Sequence, residues 1–139
     1  ELAPELIDAH LLLAQIHAQQ GDIAAAAAEY EAVLSKQPDS LEAANNFAWL
    51  LATSDDHESA RVNRAVELAE RICRATEEKN PAYLDTLAAA YAHAGRFDDA
   101  IRTAKSAVEL ARAAQQEEMA EQIKARLELY EAGQPFREA

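Results

Sequence analysis

Little in this sequence interrupts a helix. Its 139 residues include three glycines, four prolines and one cysteine, and only 6% are aromatic. Glycine and proline are the strongest helix breakers, so long uninterrupted helices are allowed. β-branched residues do not cluster, and no segment reads as a strand. The apolar runs are too short to cross a bilayer, and no stretch resembles a basic-then-apolar secretion signal. The lone Cys73 excludes an internal disulfide and leaves the redox compartment open. Basic residues are few, and the formal net charge of −12 argues against nucleic acid or an anionic membrane surface as partner. That balance suits a soluble domain without direct membrane contact, with the cytoplasm as the favoured compartment.

What is abundant is alanine, the best helix former, within a composition that is 50% hydrophobic. The expected class is all-α. The chain also repeats itself. Leu13-Ala14-Gln-Ile-His17 leads to Gly21 and then to Ala26 and Tyr30. Leu87-Ala88-Ala-Ala-Tyr91 leads to Gly95, Phe97 and Ala100. Gly21 and Gly95 lie 74 residues apart, a repeat of 34 followed by one of 40. Between them Phe47-Ala48-Trp49 restarts the pattern, without a turn glycine and with about six extra residues in Thr53–Asn63. Small residues recur where paired helices cross closely: Ala14, Ala26, Ala48, Ala65, Ala88 and Ala100. Asp39-Ser-Leu-Glu42 can form a capping box, and Asn80-Pro81 places a cap and a first-turn proline.

These residues resemble the tetratricopeptide repeat. The first copy matches at Leu13, Ala14, Gly21, Ala26, Tyr30, Val33, Leu34 and Pro38, with His10 and His17 replacing aromatics. The third matches at Leu84, Leu87, Ala88, Tyr91, Gly95, Phe97, Ala100, Ala107 and Val108. The resemblance implies an α-α superhelix of three helix hairpins at residues 7–40, 41–80 and 81–114. Met119, Ile123, Leu127 and Tyr130 form one apolar stripe, which predicts a capping helix within 115–132, followed by a tail at 133–139. Glu1–Leu6 reads as the tail of an earlier repeat, because Pro4 precedes Pro38 by 34 residues. The helix expected over Ile7–Gln20 is apolar on nearly every side, unlike a solenoid's end helix, which suggests a piece of a longer array.

No motif carries catalysis. His10 and His17 are about 10 Å apart by helical rise, too far for one metal. His57 sits among Asp55, Asp56 and Glu58 without calcium-loop spacing. Cys73 falls on a helix face among Ala69, Ile72 and Thr76, as a small core residue. Phosphate loops, zincin helices and nucleophile elbows are absent from the sequence, and no metal or cofactor is expected.

The family resemblance implies a concave face lined by the first helix of each hairpin, which commonly receives a peptide or partner helix. By register its side chains are Asp8, Leu11, Gln15 and Gln19, then Glu42, Asn45, Trp49 and Thr53, then Asp85, Ala89 and His93. Trp49 is the expected anchor, since large aromatics dominate interfaces. All thirteen Lys and Arg residues lie at Lys36 or later, and none lies in Ile7–Gln20, Leu41–Ser54 or Pro81–Ala94. Asp8, Glu42 and Asp85 therefore point to a neutral or basic ligand and not an acidic one. Two other functions fit the residues: self-association through Ile7, Leu11 and Leu12, or service as an appendage of an upstream enzyme such as a membrane glycosyltransferase.

Overall fold

Alanine-rich segments and regularly placed stop signals divide the described residues into seven helices. The structure, a computed structural model, describes residues 4–138. Its elements are α1 (Pro4–Gln19), α2 (Ile23–Lys36), α3 (Leu41–Thr53), α4 (Ser59–Ala75), α5 (Pro81–His93), α6 (Phe97–Ala113) and α7 (Glu117–Glu131). There is no strand among the described residues. Helix α1 packs on α2, α3 on α4 and α5 on α6, giving three hairpins. The second and third are joined by α3 and α4 against α5, and α7 closes the stack on α6. The first hairpin joins the second chiefly through α2 against α3. This is an all-α solenoid.

Local chemistry sets the helix ends. Asp22, Ser40, Glu58 and Asn80 each accept a backbone N–H three residues on, starting α2, α3, α4 and α5. The cap of α3 is Ser40 and not Asp39, one residue later than the capping-box reading. Gly21 and Gly95 adopt positive φ, and the next residue donates back to the carbonyl of His17 or Tyr91. Gln115 takes the same conformation at φ 61°, so α6 and α7 are separate helices although the sequence shows no breaker there. Glu77 and Glu78 play that part between α4 and α5. Helix α1 already runs at Pro4, three residues before the expected start, while Glu1–Ala3 lie outside the described residues.

The core follows the small-residue register. Ala14, Ala26, Ala48, Ala65, Ala88 and Ala100 are fully buried, which lets paired backbones approach. Tyr30 of α2 stacks on Phe47 of α3 with ring centroids 5.1 Å apart, fastening the first hairpin to the second. Cys73 is buried, and desolvation raises its thiol to about 12, so it packs as an apolar group. His10 is half-buried and bonds through Nδ1 to Glu29 at 2.7 Å, a surface tie between α1 and α2 where a core aromatic was expected. No described helix is long and apolar enough to cross a membrane.

Candidate functional site

Two clefts open between α1 and α3, because the first hairpin leans on the second through α2. Ile7, Asp8 and Leu11 face Glu42, Ala43 and Asn46 across a cleft of about 230 Å³. Further along, Gln15 and Gln19 face Trp49, Leu50 and Thr53 across a wider one of about 740 Å³, floored by Tyr30. Seven of the eleven groove residues expected from the register therefore line these two clefts. Asn45 is half-buried, and its buried Oδ1 has no hydrogen-bond partner.

The remaining three residues are in a different state. Asp85, Ala89 and His93 on α5 are all buried, so this end of the expected groove is closed. The helix register is as expected; what covers them comes from elsewhere in the chain. Arg126 of α7 donates to both Asp85 oxygens, at 3.0 and 2.6 Å, in a bidentate pair. Burial raises the Asp85 carboxyl above its ordinary range, and the Arg126 guanidinium opposes the rise. Basic residues are absent from the three groove helices, yet α7 supplies one from the side.

The segment after α7 completes the closure. Gly133 takes positive φ, and Gln134–Glu138 then runs back to α3. Phe136 packs beside Trp49 with centroids 5.8 Å apart, and Arg126 lies within 5.3 Å of both ring centres. The Trp49 indole N–H donates to the Glu138 carboxylate at 2.8 Å. The Glu138 backbone N–H donates to the Thr53 carbonyl at 3.1 Å.

His93 is held by the loop between α3 and α4. Its Nε2 lies 2.8 Å from the Asp56 carbonyl, which can only accept, so Nε2 carries the proton. Nδ1 is buried without a partner, and desolvation lowers the pKa from the ordinary 6.5. His57 stacks on His93 with centroids 5.1 Å apart. Asp56 also pairs with Arg61, and Glu58 caps α4. His93 and Arg61 hold this loop through Asp56, while Ala60 is exposed and Val62 half-buried. Among the described residues, no group of three His, Cys, Asp or Glu side chains is placed to hold a metal.

Hairpin stacking, glycine turns and alanine crossings agree with one comparison. Residues 7–50, spanning most of α1, all of α2 and most of α3, match the family model of the tetratricopeptide repeat. Over those residues the chain is similar to a tetratricopeptide repeat. A comparison with curated proteins finds no match. Tetratricopeptide repeats generally mediate protein–protein interaction, typically as non-catalytic scaffolds. One further surface stands out. Leu6, Leu12, Leu13 and Ile16 of α1 are exposed apolar side chains. Of the residues expected for self-association, Leu12 is on that face, Leu11 is half-buried in the cleft and Ile7 is buried.

Periodicity did not reveal Arg126, Phe136 or Glu138. A signal existed for Arg126, which is three residues after Ile123 and four before Tyr130, on the apolar side of α7. A charge on that stripe needs a buried partner. Phe136 and Glu138 carry no such mark, since they follow the last helix without periodic context.

Proposed function

We propose that this protein binds an extended segment of another protein on its concave face and does no chemistry of its own. The observation that supports this best is the cleft between α1 and α3. There, apolar Tyr30 and Leu50 and the indole of Trp49 lie among the amides of Gln15, Gln19 and Asn46. Apolar floor with a few polar groups is the usual make-up of a recognition site. Asp8 and Glu42, in the smaller cleft alongside it, favour a neutral or basic segment over an acidic one. Asp85 no longer contributes to that preference, because Arg126 neutralises it. Titration calorimetry with basic, neutral and acidic peptides tests the reading, using wild type and an Asp8→Asn, Glu42→Gln double variant. Basic and neutral peptides are expected to bind, more weakly as salt screens the acids over about 8–10 Å. Tighter binding of acidic peptides would contradict it.

A second reading, self-association, is favoured by the exposed apolar face of α1. Leaving that face in water costs roughly 25 cal/mol per Å². Light scattering of the concentrated protein decides: an oligomer that Leu12→Glu with Leu13→Glu converts to monomer supports it, and a wild-type monomer does not.

A further inference from the structure

The closed end of the groove already holds an extended segment, and its contacts describe what that site recognises. Phe136 supplies a ring beside Trp49, Arg137 pairs with Asp55 at 3.4 Å, and Glu138 accepts the indole N–H. One backbone bond, from Glu138 to Thr53, fixes the register. The hold is light. Phe136 is half-buried, Glu138 is exposed, and Asp55 is 97% exposed. Exposed ion pairs contribute little, and a segment anchored mainly by one ring opens readily. The layer beneath is firmer, because Arg126 holds buried Asp85 in a bidentate pair.

We propose that Gln134–Glu138 is an internal stand-in for the partner. On this account a segment of another protein carrying an aromatic, a basic and an acidic residue in succession binds against Trp49 and Arg126 by displacing it. The proposal rests on the concave face being a peptide groove, and it adds the ligand's chemistry and a competitor built into the chain. Its motif is neutral overall, in keeping with the acids that line the open cleft. An intramolecular competitor scales the affinity by its unseated fraction, so the apparent Kd is the intrinsic Kd over that fraction, and a tenfold effect corresponds to a segment seated about nine-tenths of the time.

Trp49 is the one tryptophan, so its fluorescence reports this site directly. The probe is a capped peptide, acetyl-Gly-Gln-Pro-Phe-Arg-Glu-amide, with a control carrying alanine in place of Phe. Both are titrated into full-length wild type and full-length Phe136→Ala. The expected result is peptide affinity at least tenfold higher for Phe136→Ala than for wild type, with the control peptide inactive on both. Equal affinity for the two chains, or binding by the control, would overturn the proposal. If circular dichroism shows that Phe136→Ala has lost its helices, Glu138→Ala replaces it with the same expectation. Hydrogen exchange on unaltered protein adds a separate check. The Glu138 amide should exchange far faster than the amides of α5, and equal protection would mean the segment is a fixed part of the fold. If other peptides bind the open cleft while this peptide binds neither chain, only this proposal fails. If no peptide of any composition binds either chain, the peptide-groove reading fails with it.

Discussion

Arg126 is the residue on which the closed end depends. Its guanidinium bonds both oxygens of Asp85 and reaches the Trp49 and Phe136 rings. Arg126→Ala leaves a buried carboxylate without its partner, a loss of about 3–5 kcal/mol when the pair is well buried. An Arg126→Met, Asp85→Leu double variant should recover most of that, since apolar replacements of buried pairs are often neutral. Chemical denaturation of the three proteins checks the order; equal stability of wild type and Arg126→Ala would refute it. His93 makes a prediction about pH. Its folded pKa lies below the unfolded value of about 6.5, so the unfolded chain binds the proton more tightly. The contribution is present above that value and is lost as pH falls through the lower, folded pKa. Melting temperature should therefore decline on acidification from neutral, and the decline should shrink in His93→Gln. Such residue-level chemistry was only partly legible in the sequence. Spacing placed Asp85 and His93 on the inner face of α5, but their partners are 41 and 37 residues away in sequence.

At the level of elements the sequence was far more informative, because each signal is local. Alanine at the crossings, caps at Asn80 and Asp22, and the glycines at 21 and 95 all act within one turn of the helix they shape. Ala26→Leu and Ala100→Leu should each overpack a hairpin and cost about 1–3 kcal/mol, read as a lower melting temperature. What stayed hidden were turns made without glycine. Gln115 stands where Gly95 stands one helix earlier, with φ 61° and the following N–H returning to the Ala111 carbonyl. A side chain in that conformation costs roughly 1 kcal/mol, so Gln115→Gly should raise stability by up to that amount. Denaturant midpoints would show it, and a destabilised variant would mean the turn is not strained. The α3–α4 loop was likewise legible as an insertion, but its anchorage on His93 was not.

On the scale of the whole molecule, the arrangement is a solenoid with an open cleft between α1 and α3 and a covered site that adjoins it at Trp49, Thr53 and Glu138. The open cleft follows from loose docking of α1 toward α3, whereas the cover comes from Arg126 and the segment after α7. Helical periodicity reveals which faces are apolar, and hence the solenoid. It carries no information on a contact between Trp49 and Glu138, which lie 89 residues apart. The central claim is that the facing sides of α1 and α3 receive a partner segment. Amide chemical-shift mapping during titration with a neutral or basic peptide tests it most directly. The account predicts shifts concentrated at Gln15, Gln19, Asn46, Trp49 and Leu50, and their loss in Trp49→Ala. Shifts confined to α4 and α6, or an unchanged response in Trp49→Ala, would contradict it.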